Sequence, residues 1–181
     1  LHEETPVWWL RVKQAADRGA TVIVLNARPT RLDKFASHLL HYAPDGTLAA
    51  VRALTDGTAE GDLAAAADAL ANAGNLVIFY GAEGLTYDET DTLARMLGNL
   101  LLAKQGDGDD ATARAGRVNS GLVPVWAHAN TQGAWDMGIH PAFGPGYVPT
   151  AAAGRDAAEI YAGAADGRVS ALYVMGADPV G

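Results

Sequence analysis

An α/β fold built on a parallel sheet is predicted by three observations. Short, nearly continuous apolar runs recur at 21–25 (TVIVL), 75–80 (NLVIFY) and 169–175 (VSALYVM). Each has the pattern of a strand buried on both faces, as in parallel sheets. Segments of helical propensity lie between them, and glycine or proline marks most junctions. Strands alternating with helices imply parallel crossover units stacked in Rossmann-like layers.

The elements follow in order. Thr5-Pro6 reads as an N-cap and a first-turn proline, whose missing N–H costs nothing there. The helix they open runs to about Arg18, with Gly19 as its stop. The strand 21–25 follows, then a polar loop over 26–37 with at most one helical turn. Residues 38–42 form a short second strand, Pro44-Asp45-Gly46 a turn, and 47–54 a short helix. Asp56-Gly57-Thr58 is the best internal boundary and divides the chain into lobes 1–57 and 58–181. Beyond it, the alanine-rich stretch 59–73 is strongly helical by propensity and closes at Gly74. After the strand 75–80 comes Gly81-Ala82-Glu83-Gly84. Thr86 and Glu89 then form a capping box for a helix over 87–104. Residues 105–115 (QGDGDDATARA) are the most polar stretch and read as a mobile surface loop. A strand is expected at 123–127, irregular chain over 130–149, a helix at 155–164 and the last strand at 169–175.

Composition narrows the function. The formal net charge is -8, which argues against nucleic acid or an anionic membrane as a partner. The absence of cysteine excludes disulfides and any thiolate-ligated iron–sulfur cluster or zinc within these residues. No apolar run approaches the roughly 20 residues that cross a bilayer. Leu1-His2-Glu3-Glu4 reads as neither a signal peptide nor an initiator, so the sequence is taken as an internal piece of something longer.

Ligand sites in parallel α/β sheets lie at the carboxyl ends of strands. Two loops there carry chemistry. Gly81-x-x-Gly84, between a strand and a helix, offers backbone N–H groups to a phosphate. It is also an ordinary tight turn, and Glu83 would repel an anion. Asn26-Ala27-Arg28-Pro29-Thr30-Arg31 is richer: two guanidinium groups and a hydroxyl suit a pyrophosphate. The competing assignment pairs Arg28 or Arg31 with a nearby carboxylate such as Asp33. His38 and His41 share a short strand on opposite faces, and no third ligand accompanies them at metal spacing. His128 and His140 flank the 130–138 loop as possible acid–base groups or plain structural histidines. Trp8, Trp9, Trp126 and Trp135 suit a core or an interface. Nucleophile elbow, P-loop and HExxH patterns are absent from the sequence.

The 130–138 loop, Asn130-Thr131-Gln132-Gly133-Ala134-Trp135-Asp136-Met137-Gly138, precedes His140-Pro141 and Pro145-Gly146-Tyr147. It resembles the N-x-Q-G-x-x-D-M-G-x-x-P … P-G-Y loop of the molybdopterin oxidoreductase family, best known in formate dehydrogenases. The stretch from Gly19 to Leu25, with Arg28-Pro29-Thr30, Ala36 and Pro44, is similar to that family's first strand, arginine loop and turn. Leu172 to Pro179 is similar to its strand ending in G-x-N-P. Three departures stand out: Asn26-Ala27-Arg28 in place of Asp-Pro-Arg, Pro44-Asp45-Gly46-Thr47 in place of Pro-Gly-Thr-Asp, and Asp178 in place of Asn. The first and third look more like the molybdopterin oxidoreductase-like region in the large iron–sulfur subunit of NADH-quinone oxidoreductase.

That resemblance implies a formate dehydrogenase/DMSO reductase-like fold. It implies a redox-inert scaffold within the large iron–sulfur subunit of respiratory NADH dehydrogenase (complex I), with no catalytic residue and no cofactor here. The iron–sulfur clusters would be ligated elsewhere in the parent chain. The partners would be other subunits of the peripheral arm, on the cytoplasmic face of the membrane. The alternative resemblance, to a working molybdenum or tungsten enzyme, implies a molybdopterin guanine dinucleotide held by Arg28, Thr30, Asn130, Gln132 and Asp136. A third assignment, a free-standing nucleotide-binding α/β module, rests on the short glycine motif.

Overall fold

The computed structural model describes residues 1–105, 112–113, 117–126 and 128–176. The chain groups into two compact units, Leu1–Trp126 and Ala127–Gly181.

The first unit is mixed α/β. Helix α1, Pro6–Asp17, starts on its proline, and Gly19 leaves it with φ +91°. Thr5 occupies the N-cap position without capping, because its hydroxyl donates to Leu1 O at 3.1 Å. Strand β1, Ile23–Asn26, pairs in parallel with β2, His38–His41, from Ile23↔His38 to Asn26↔His41. Between them lies a single 3-10 turn, Asp33–Phe35. Phe35 packs edge-on against Trp9 and carries the ammonium groups of Lys13 and Lys34 near its ring.

Helix α2, Thr47–Thr55, follows a turn in which the Gly46 N–H donates to Ala43 O at 2.7 Å. Helix α3, Asp62–Asn72, begins three residues later than its propensity suggests. Gly61 holds φ +57° and ψ -131°, which no helix accommodates. Gly57, where the sequence suggests a lobe boundary, is a left-handed turn at φ +70°. Helices α2 and α3 on either side of it pack together, and α2 also packs on the helix Tyr87–Leu102.

Strand β3, Val77–Tyr80, pairs in parallel with β6, Gly121–Pro124, from Val77↔Gly121 to Tyr80↔Pro124. This pairing lies two residues ahead of the strand expected at 123–127. Gly121 has no side chain to signal a strand, and its pairing with β3 is what defines one. Between β3 and β6 runs α4, Tyr87–Leu102, opened by the expected capping box: Glu89 N–H donates to Thr86 Oγ1, and Thr86 N–H donates to Glu89 Oε2. Leu93, Leu97 and Leu101 recur every fourth residue as its buried stripe. Leu93, Leu97 and Val51 form the core, with Leu25, Ile78, Tyr80 and Leu122 of three strands packed against it. The unit's core therefore lies where helices α2 and α4 meet both strand pairs.

After α4, the two-residue strand β4, Lys104–Gln105, pairs antiparallel with β5, Thr112–Ala113. The rest of the stretch expected as a mobile loop lies outside the described residues, as does Ala127. Burial on both strand faces is not seen. Among the described residues each of β1, β2, β3 and β6 has a single partner strand, and Val77 and Leu39 are exposed. Apolar runs report affinity for cover, whereas a sheet needs neighbouring strands to supply it.

In the second unit, the region expected to be irregular contains a short helix α5, Thr131–Asp136, and a 3-10 turn, Pro145–Tyr147. A mid-helix glycine and a polar start hid α5 from propensity. Helix α6, Ala157–Ala165, carries a second capping box, Asp156 with Glu159. The strand expected at 169–175 is not formed among the described residues. Val169 N–H donates to Gly163 O, and the side chains beyond are exposed, Tyr173 by 91%. Strand propensity is present there, but no ladder satisfies the backbone. The end of that motif, from Ala177, lies outside the described residues. No described helix is long and apolar enough to cross a membrane.

Candidate functional site

The loops that follow β1 and β3 meet. Arg28 lies just past β1, and its Nη2 donates to both carboxylate oxygens of Glu83, at 2.8 and 3.0 Å. Glu83 belongs to the turn after β3, fifty-five positions on in sequence. Both side chains are largely exposed. Of the two assignments of this loop, Arg28 takes the carboxylate pairing, with Glu83 in place of the Asp33 given as an example, and Asp33 is turned to Thr30. Asp33 Oδ1 accepts the Thr30 hydroxyl at 2.5 Å, and Oδ2 accepts the Thr30 N–H at 3.0 Å. The Thr30 oxygen in turn accepts the Leu32 N–H at 3.2 Å. These bonds to Thr30 hold the Asp33 carboxyl below the usual carboxylate range.

His41 closes the same end of the sheet. Its Nδ1 lies 2.9 Å from Asn26 O, and a carbonyl only accepts, so Nδ1 carries the proton. Its Nε2 stands 3.6 Å from Asp33 Oδ2, beyond a direct hydrogen bond. Groups of three or more His, Cys, Asp or Glu able to hold a metal are absent among the described residues.

In the second unit, Gln132 and Asp136 are four apart on α5 and face the same way. Gln132 Nε2 donates to Asp136 Oδ1 at 2.9 Å and to the Tyr147 hydroxyl. The Tyr147 hydroxyl donates to the same Asp136 oxygen at 2.7 Å. The three form a closed clasp between α5 and the Pro145–Tyr147 turn. Tyr147, in first place, and Gln132 lower the Asp136 pKa, and Asp136 raises that of Tyr147. Asn130 stands at the N-cap position but makes no side-chain cap bond. Its amide lies under Gly133, where a Cβ would collide with Asn130 Oδ1. Gly138 (φ +82°) abuts Pro145, and Tyr147 holds φ +62°, uncommon for a residue with a side chain. His140 Nδ1 accepts the Ala142 N–H at 3.1 Å, and its ring packs against Trp135 and Phe143, so it is built into the loop. His128 serves through its backbone, accepting from Thr131.

Three of the predicted donors to an oxyanion thus have a carboxylate of the chain itself: Arg28 has Glu83, Thr30 has Asp33, and Gln132 has Asp136. Arg31 and Asn130 have no such partner among the described residues. Sequence reasoning missed Glu83 as a partner, because nothing local links it to Arg28. It also missed Tyr147 as the third member of the clasp, although the Pro-Gly-Tyr motif contained it. Apart from these loops, the C-terminal ends of α2 and α4 frame a cleft lined by Arg52, Thr55, Asp56, Met96 and Asn99. None of the predicted site residues lines it.

No family model matches the chain. Two strains of Geobacter sulfurreducens carry an NADPH-Fe(3+) oxidoreductase alpha subunit that is 26% identical over 230 aligned residues, covering 98% of this chain and 26% of the relative. An NADH-quinone oxidoreductase subunit of Rhizobium meliloti is 28% identical over 213 residues, covering 98% of this chain and 25% of the relative. The chain spans about a quarter of the length of the curated relatives it matches. Both relatives are named as subunits of oxidoreductases, and the second belongs to the NADH-quinone oxidoreductase that the sequence motifs point to. Along nearly its whole length the chain is a distant relative of such oxidoreductase subunits, one of NADH-quinone oxidoreductase among them.

Proposed function

We propose that this chain is a redox-inert structural domain within the large iron–sulfur subunit of an NADH-quinone oxidoreductase complex, with a molybdopterin oxidoreductase-like fold. It would pack the body of that subunit against neighbouring subunits of a peripheral arm, on the cytoplasmic side of a membrane. Iron–sulfur clusters would be ligated in other parts of the subunit, since the chain has no cysteine to ligate one. The observation that carries this reading is the internal pairing of Arg28 with Glu83, Thr30 with Asp33 and Gln132 with Asp136. A guanidinium, a hydroxyl and an amide suited to an oxyanion hold the loops themselves instead. Within each unit taken by itself, these donors face carboxylates of the chain, which disfavours the phosphates of a pterin dinucleotide there.

The test is the molybdenum, tungsten and released pterin content of the purified full-length parent subunit. Absence of all three with iron present is the expected result. Near-stoichiometric metal and pterin would sink the scaffold reading. That outcome would favour the second reading, a molybdenum or tungsten oxidoreductase with Arg28, Thr30, Asn130, Gln132 and Asp136 at a molybdopterin guanine dinucleotide. One observation favours this second reading: Arg28 and Glu83 are 67% and 78% exposed. Exposed ion pairs contribute about 1 kcal/mol or less, so a multiply charged ligand could displace Glu83.

A further inference from the structure

We infer that Glu83 is a built-in competitor for Arg28, a carboxylate that holds the guanidinium in the place of a pyrophosphate-class oxyanion and thereby weakens the binding of one. The inference rests on the scaffold reading and assigns that weakening to one residue. Arg28 follows β1 and Glu83 follows β3, so the pair sits at the carboxyl ends of two strands, each from its own parallel pair. One guanidinium nitrogen reaches both carboxylate oxygens, at 2.8 and 3.0 Å. Guanidinium groups engage carboxylates and phosphates through the same charge-assisted bonds. Beside the pair, Gly84 at φ +76° leads into the capped start of α4, whose aligned peptides favour negative charge. Asp88 and Glu89 already supply that charge in its first turn. Glu83 places a negative charge where an incoming phosphate oxygen would lie. A tight glycine turn with an apolar residue at position 83 would have left Arg28 open.

The test titrates the chain and its Glu83→Gln variant with sodium pyrophosphate at low ionic strength by isothermal calorimetry. Circular dichroism confirms that each protein is folded, and Glu83→Ala serves as a second variant if Glu83→Gln is not. Removing the competitor is expected to tighten binding about fivefold, the most that an exposed ion pair withholds. Arg28→Ala in the Glu83→Gln background is expected to abolish the gain. Glu60→Gln, an equal change in net charge at another exposed site, is expected to leave binding unchanged. Equal binding by the wild type and both Glu83 variants overturns the inference. So does a gain that survives Arg28→Ala, or one that Glu60→Gln reproduces. None of these failures bears on the scaffold reading, which stands or falls on metal and pterin in the parent subunit.

Discussion

Gly138 and Pro145 are in steric register: a Cβ on Gly138 would lie 2.6 Å from both the Cδ and the nitrogen of Pro145. The glycine also holds φ +82°, so a side chain there meets a bad backbone and a filled space together. Gly138→Ala is expected to destabilise the second unit by about 2–4 kcal/mol, combining left-handed strain with overpacking. Gly84→Ala is the control. Its φ is +76°, but nothing lies within 4 Å of its Cβ position, so a cost of about 1 kcal/mol is expected. Urea unfolding of both variants measures the difference, and equal losses would show that Pro145 moves aside.

The Gln132–Asp136–Tyr147 clasp has a definite pH window. Asp136 titrates below its usual range because Tyr147 and Gln132 donate to its carboxylate. A lowered folded pKa adds stability above the unfolded value, and this is lost as pH falls through the folded value. Tyr147 titrates above its usual range because its hydroxyl donates a hydrogen bond to the Asp136 carboxylate. A raised folded pKa adds stability below the unfolded value, which disappears as pH rises through the folded one. The clasp's contribution should therefore be fullest between about pH 4 and pH 10. Thermal unfolding against pH should show a shallower acid arm in Asp136→Asn and a shallower alkaline arm in Tyr147→Phe, with the part carried by Asp33, Glu89, Asp166, Tyr80 and Tyr87 remaining. Unchanged profiles in both variants would mean that the clasp does not contribute.

Leu93 is 3% exposed at the centre of the core, where α4 meets α2 and the strands. Leu93→Ala is expected to cost about 2–5 kcal/mol, the loss of transfer energy plus an incompletely collapsed cavity. Leu102, nine residues on and 62% exposed, should tolerate alanine within about 0.5 kcal/mol. Chemical denaturation of the two variants checks the contrast.

Thr86 caps α4 through its hydroxyl, which accepts the Glu89 N–H. Thr86→Ala should destabilise the first unit by about 1 kcal/mol, and Thr86→Ser should restore most of that. If serine fails to rescue, the threonine methyl rather than the cap matters, and equilibrium unfolding of the three proteins decides.

Much of the local structure was legible. The Thr86 and Glu89 box, the Pro6 start and the Gly19 stop each encode a terminus through groups within four residues of one another. The parallel pairing of β1 was expected from its apolar run, and His38–His41 was placed as its neighbour in sequence. Helix α5 was not legible, because Gly133 interrupts its propensity and the loop that encloses it supplies its support. At 169–175 the reverse occurred: the propensity is strong and no strand formed among the described residues. The site was legible as residues but not as pairs. Arg28, Thr30, Asn130, Gln132 and Asp136 stand out in the sequence, yet which carboxylate meets which donor does not: Asp33 pairs with Thr30, and Arg28 with Glu83.

By itself the sequence determined the α/β class, the ends of α1 and the start of α4, the lack of any thiolate ligand and the resemblance to a large NADH-quinone oxidoreductase subunit. All of these are carried by composition or by residues close along the chain. Only the tertiary structure decided which apolar runs become strands, which strand each of those pairs with, and which carboxylate meets which donor. Periodicity and capping act over one or two turns and are written locally. The Arg28–Glu83 bond spans fifty-five positions, and it forms only because the core of Val51, Leu93 and Leu97 draws β1 and β3 to one side of the same helices.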